Sequence, residues 1–102
     1  MALIAREAFQ NETFRTISDT SKYIIPPTNK HEESTYIVNH HRLHNYYQTG
    51  DYVYEYCIGG KSGYTNAARN TLVTYAEKDG MQIVCVVMRA EYPYHLTDTT
   101  DL

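Results

Sequence analysis

Gly59-Gly60-Lys61-Ser62-Gly63-Tyr64-Thr65 sets a Lys-Ser-Gly triplet between small residues, directly ahead of two segments of strand composition. The first, Thr71-Leu72-Val73-Thr74-Tyr75-Ala76-Glu77, mixes β-branched and aromatic residues that suit a pleated surface. Asn66-Ala67-Ala68-Arg69 separates it from the triplet and reads as a turn. Asp79-Gly80 then signals a hairpin, because a two-residue type I′ loop needs positive φ at both positions and Asp-Gly adopts it at little cost. Residues 81–88 form the return strand. Residues 57–90 are therefore expected to be an antiparallel meander of about three strands, with Lys61 on the first. The return strand is apolar on both faces, with Ile83, Cys85 and Val87 on one and Val84, Val86 and Met88 on the other, which is the pattern of a strand covered on both sides.

Upstream, Met1, Ala5 and Phe9 recur at helical spacing, with Arg6, Glu7 and Gln10 on another face, so residues 1–9 read as an amphipathic helix ended by Asn11. It starts without a capping Ser, Thr, Asp or Asn. Phe14 and Ile17 mark a second short helix over 12–17, closed by the polar cluster Ser18-Asp19-Thr20-Ser21, and 1–18 is thus a helical segment. Pro26-Pro27 forbids helix and pushes Tyr23-Ile24-Ile25 to an extended form. Residues 28–35 read as loop and Tyr36-Ile37-Val38 as a short strand. The tyrosine-rich stretch 46–56 reads as a surface loop with a turn at Thr49-Gly50-Asp51, making 19–56 an extended and loop segment. In the tail, 91–102, Thr97-Asp98 resembles a helix cap followed by one turn, the start of a truncated C-terminal helix. Both ends look cut, and the 102 residues are expected to be a single partial domain.

Composition narrows the function classes. A net charge of −3 provides no basic stripe for a phosphate backbone, so nucleic-acid binding has no support. No apolar run approaches the ~20 residues that span a bilayer, and the N-terminus has no basic region followed by an apolar core, so neither a membrane span nor a signal peptide is expected within the chain. The two cysteines, Cys57 and Cys85, do not suggest a disulfide framework, and Cys85 in its apolar run reads as a buried, inert thiol. Eleven tyrosines lean mildly toward sheet. His40, His41 and His44 have a spacing that binds zinc when helical, but neighbouring cysteine or carboxylate ligands are missing, so no metal and no cofactor is expected.

Seven pieces in order carry a resemblance: Ala2-Leu3-Ile4-Ala5-Arg6-Glu7-Ala8-Phe9, Tyr23-Ile24-Ile25-Pro26-Pro27-Thr28-Asn29, Asn39-His40-His41-Arg42-Leu43, the 59–65 stretch, Asn70-Thr71-Leu72-Val73, Lys78-Asp79-Gly80-Met81 and Val84-Cys85-Val86-Val87-Met88. Together they resemble the later portion of the serine-type D-alanyl-D-alanine carboxypeptidases, the low-molecular-mass penicillin-binding proteins of bacterial cell-wall metabolism. The fold this implies is α/β (α+β), a fragment of the α/β/α sandwich shared by serine β-lactamases and penicillin-binding proteins, with flanking helices around the meander. Ser62 stands where Thr is commoner, and the swap keeps the hydroxyl. The larger departure is that no Ser-x-x-Lys and no Ser-x-Asn occurs: three residues before Lys22, Lys30, Lys61 and Lys78 stand Asp19, Pro27, Ile58 and Tyr75.

The resemblance implies an exported enzyme of the cell envelope that attacks the penultimate carbonyl of a peptidoglycan stem peptide ending in D-Ala-D-Ala, passes through an acyl-serine, and is acylated by β-lactams. In that scheme Lys61 directs positive charge at the substrate carboxylate, the Ser62 hydroxyl donates to it, Gly63 leaves a bare strand edge for an extended peptide, and the Tyr64 N–H serves the oxyanion hole. The nucleophile and its base fall outside these residues, so the chain by itself is expected to be inactive. Taken alone, a Lys-Ser-Gly triplet is more often a solvated strand end. Two rival readings are a short non-catalytic module that binds a peptide or carboxylate, and a β-lactamase fragment. In the family the 81–88 strand pairs with a strand from the absent half, so its open edge here leads to the expectation of a homodimer through 81–88.

Overall fold

The computed structural model describes residues 1–47 and 50–102. Three strands, β3 (Cys57–Thr65), β4 (Arg69–Lys78) and β5 (Met81–Ala90), form an antiparallel sheet in the order β3-β4-β5. The β4-β5 hairpin turns on Asp79 and Gly80 with φ of 51° and 79°, the double positive φ that the Asp-Gly pair suits. Before the sheet come α1 (Ala2–Ala8), α2 (Glu12–Ser18) and a separate two-stranded hairpin of β1 (Lys22–Ile25) with β2 (Thr35–Val38), and after it α3 (Tyr94–Asp101). A 3-10 turn, Gly50–Tyr52, includes Gly50 and Asp51 of the expected Thr49-Gly50-Asp51 turn, of which Thr49 lies outside the described residues.

Side-chain alternation along β4 divides the molecule into layers. Tyr75 and Glu77 face the N-terminal helices. Phe9 stacks on the Tyr75 ring at 4.3 Å and 7°, Phe14 meets Phe9 edge-on at 5.1 Å, and Arg15 of α2 pairs with Glu77. Leu72 and Thr74 face the other way, where Leu72 joins Leu43, Cys57 and Leu96 in the buried core and Thr74 meets His41. Helices thus cover one face, and α3 with residues 39–45 and 50–56 covers the other, an arrangement of helices around an antiparallel sheet.

Four expectations need revision. Asn11 does not end α1 but caps α2, its side chain accepting from the Phe14 N–H at 3.0 Å, which satisfies one of the orphan donors of the first turn. The last helix begins at Tyr94, ahead of Thr97-Asp98, behind Pro93. Cys57, not Cys85, is the buried thiol, and both are free; burial pushes the Cys57 thiol up to about 12, so it is protonated and inert at neutral pH. Finally, β5 is at the sheet's edge as expected, with β4 as its one neighbouring strand among the described residues, but it is not covered on both faces: Met81, Ile83 and Met88 are exposed. Nothing in the structure supports the homodimer expected through it.

Gly60 has the least room of the sheet's glycines: a Cβ there would sit 1.9 Å from the Val73 carbonyl oxygen and 2.8 Å from the His41 ring. No rotamer relieves a clash with backbone, so Gly60→Ala must part β3 from β4. It is expected to cost about 3 kcal/mol, read as a lowered urea midpoint with an unchanged slope. An unchanged midpoint would mean the strands are not this close.

Candidate functional site

The segment 39–45 holds β3 in place and alternates in what it faces. Asn39 donates from Nδ2 to the Ser18 and Thr20 carbonyls at 3.0 and 3.3 Å and accepts from the His41 N–H at 2.9 Å, which fixes the end of α2 to the segment. His41 Nε2 lies 3.2 Å from the Val73 carbonyl and 3.0 Å from the Thr74 hydroxyl. The carbonyl can only accept, so Nε2 carries the proton of the neutral ring. His44 spans the Cys57 carbonyl (Nδ1, 2.9 Å) and the Asp19 carbonyl (Nε2, 2.7 Å), and the Ser21 hydroxyl donates to the His44 carbonyl. Leu43 is fully buried in the core. The three histidines therefore do not converge on one point.

His40 and Arg42, at the intervening positions, instead line a cavity of about 440 Å³ together with Lys61, Ser62, Gly63 and Tyr64. Its remaining wall comes from Asn70, Thr71 and Leu72 of β4 and from Tyr92, His95 and Leu96 around the start of α3. All four residues singled out in the sequence are thus brought to one cavity by a single strand at the sheet's edge. Lys61 is exposed, and its Nζ turns back to the Ser62 carbonyl. Gly63 is needed for space as well as for a bare edge: a Cβ there would lie 2.8 Å from the Thr71 hydroxyl, which donates to the Gly63 carbonyl at 3.1 Å. Tyr64 opposes Asn70 in the ladder, with its side chain exposed.

Arg42, Tyr92 and His95 were not assigned roles from the sequence. Arg42 lay within a quoted motif, and the only signal was the alternation of 40 and 42 with the buried 41 and 43. His95 is buried, and its Nδ1 has no hydrogen-bond partner among the described residues. Burial, and then the Arg42 charge, lower its basicity from the usual imidazole range. No cluster of His, Cys, Asp or Glu suited to a metal occurs among the described residues.

With this geometry in hand, similarity to known proteins becomes informative. The model of the D-alanyl-D-alanine carboxypeptidase family, peptidase S11, matches residues 1–92. The chain belongs to this family. It is 34% identical over 88 residues to the D-alanyl-D-alanine carboxypeptidase DacB2 of Mycobacterium tuberculosis, covering 86% of the chain and 27% of that protein's length. A crystal structure of a D-alanyl-D-alanine carboxypeptidase from M. tuberculosis superimposes with a TM-score of 0.67 at 34% identity, over 86% of this chain and 30% of that one. A variant of the Streptomyces K15 DD-transpeptidase superimposes with a TM-score of 0.80 at 26% identity, over 98% and 38%. The three-stranded sheet and its helices thus match a part of the DD-transpeptidase fold, and the family's chemistry is directed at peptidoglycan. No helix among the described residues is long and apolar enough to cross a membrane.

His41 links the site to pH. Its ring is buried beneath β3 and burial lowers its pKa from 6.5 to about 4, with the charges of His44 and Lys61 acting in the same direction. Between those two values the unfolded chain takes up a proton that the folded ring refuses. Stability is therefore full above pH 6.5 and falls by up to about 3 kcal/mol as pH drops toward 4. His41→Gln, which keeps a donor but does not titrate, is expected to flatten this part of the profile in urea melts. An equally steep fall in the variant would assign the proton uptake to another group.

Proposed function

We propose that these residues supply the substrate-gripping strand of a serine D-Ala-D-Ala carboxypeptidase site, the whole enzyme trimming peptidoglycan stem peptides in the cell envelope through an acyl-serine. The observation that carries the reading is the cavity over β3 and β4, beside the open edge of β3, lined by Lys61, Ser62, Gly63 and Tyr64 together with Arg42. A peptide laid antiparallel to this edge hydrogen-bonds to the main chain, and its terminal carboxylate reaches cations and the Ser62 hydroxyl. Lys61 contributes positive charge to the carboxylate and to the proton-transfer groups beside it. The Tyr64 N–H is the oxyanion donor paired with the N–H of a serine beyond this chain.

The nucleophile and its base are assigned outside these 102 residues because the sequence has no Ser-x-x-Lys. Among the described residues no base is hydrogen-bonded to the Ser62 hydroxyl to activate it for attack. A fluorescent penicillin incubated with the chain is accordingly expected to leave its intact mass unchanged, and a stoichiometric adduct would overturn the assignment. In the longer enzyme this reading requires, Lys61→Ala is expected to lower kcat/KM on a D-Ala-D-Ala peptide by about a hundredfold or more, and Ser62→Thr by no more than about threefold, since the latter keeps the hydroxyl. Turnover of the Lys61→Ala enzyme within a few-fold of the parent would remove Lys61 from the site.

The non-catalytic alternative rests on the same open edge, which can bind a peptide carboxylate without any serine. It differs in one result: the chain binds the peptide, yet no partner portion restores turnover.

A further inference from the structure

Arg42 enters the cavity between two tyrosines drawn from distant parts of the chain. Its guanidinium carbon lies 5.6 Å from the centroid of the Tyr52 ring and 5.6 Å from that of Tyr92. Its Nη1 also donates to the Tyr92 hydroxyl at 2.6 Å. Tyr52, half-buried in the 3-10 turn, packs against the core around Leu43. Tyr92, just ahead of α3, lies 5.9 Å from the His95 ring, and both line the cavity. The arginine is thus gripped by the segment before β3 and by the segment after β5.

A guanidinium is flat, delocalised and more weakly hydrated than an ammonium, so the Tyr52 ring and the Tyr92 hydroxyl together can hold it in place. A cation held in place before the ligand arrives loses less freedom on binding. Lys22 offers an internal contrast: its Nζ lies 5.1 Å from the Tyr36 ring and 5.3 Å from the Tyr47 ring, yet none of these three residues lines the cavity. An aromatic bracket by itself therefore marks nothing. The one around Arg42 is set apart by opening on the same space as Lys61, Ser62 and Tyr64.

We infer that Tyr52 and Tyr92 are positioning residues, which hold the Arg42 guanidinium in the cavity wall so that it meets the terminal carboxylate of a peptide lying along residues 61–64. This rests on the reading of the cavity as a carboxylate-binding peptide site. The bracket acts on discrimination between a carboxylate and its uncharged counterpart more than on the grip along the strand, because main-chain hydrogen bonds to β3 are the same for both ligands.

The test titrates the chain by NMR with N-acetyl-D-alanyl-D-alanine and with its C-terminal amide, recording thermal midpoints for every variant. The unaltered chain is expected to prefer the carboxylate. Tyr92→Leu, which removes ring and hydroxyl, should cut the carboxylate-to-amide affinity ratio by about tenfold, and Tyr92→Phe, which keeps the ring, should cut it less. Tyr52→Leu should act in the same direction. In the ligand-free chain the Arg42 Nη1–H held by the Tyr92 hydroxyl should exchange slowly with water, and Tyr92→Phe should speed that exchange. If Tyr92→Leu does not fold, Tyr92→Phe and Arg42→Lys decide, the latter keeping the charge but losing the flat stack. Unchanged ratios in the folded tyrosine variants, alongside weakened binding in Lys61→Ala, would overturn the positioning role and leave the site reading standing. No effect of Lys61→Ala, or no binding of either probe, would overturn the site reading and this inference with it.

Discussion

The approach of β3 to β4 at Gly60 is the constraint on which the rest of the molecule depends. The Val73 carbonyl and the edge of the His41 ring occupy the space that any side chain at position 60 would need. One residue later the chain presents Lys61, so the triplet's place in the ladder beside β4 depends on how closely the two backbones approach at Gly60. Gly59 repeats the condition toward α2, where a Cβ would lie 2.8 Å from the Ser18 carbonyl oxygen. The small residues ahead of the triplet are therefore spacers that let the strand lie close against its support. The Gly63 site, pressed by the Thr71 hydroxyl, continues the same logic on the other side of the triplet.

That support is polar as well as apolar, and the division of labour within 39–44 shows how. His41, Leu43 and His44 turn inward, to β4, the core and the carbonyls of Asp19 and Cys57, while His40 and Arg42 face the cavity. Burying an imidazole is tolerable when it stays neutral and hydrogen-bonded, which is why His41 resists protonation. The cationic character of the cavity then comes from Lys61 and Arg42. His95 is kept from adding to it by burial and by the Arg42 charge.

Features set by local chemistry were legible in the sequence. Asp79-Gly80 announced its hairpin because few other pairs tolerate two positive φ angles, and Pro26-Pro27 marked the residues just ahead of it, now β1, as extended. Asn11 was misread because Asn suits both the end of one helix and the cap of the next, and only the hydrogen bond to Phe14 decides between them. The strand triplet was legible as a candidate site through its resemblance to the carboxypeptidases. Its opposite wall was not, because Arg42 and Tyr92 meet across 50 residues of chain, through the packing of Leu96 against Leu43 and Leu72. Periodicity and spacing carry no information about such a contact. The apolar groove beside the β1-β2 hairpin, lined by Ile17, Tyr23, Ile37 and Val38, was equally invisible, since it forms only when α2 and that hairpin come together.

That groove makes the central claim sharply testable by mapping where a D-Ala-D-Ala ligand perturbs backbone amide signals of the chain. The account predicts that N-acetyl-D-alanyl-D-alanine shifts the amides of residues 61–65 together with those of Arg42 and Tyr92, the two walls of the cavity moving in one saturable step. Shifts confined to Ile17, Tyr23 and Ile37, or shifts along 61–65 with none at Arg42 or Tyr92, would contradict it.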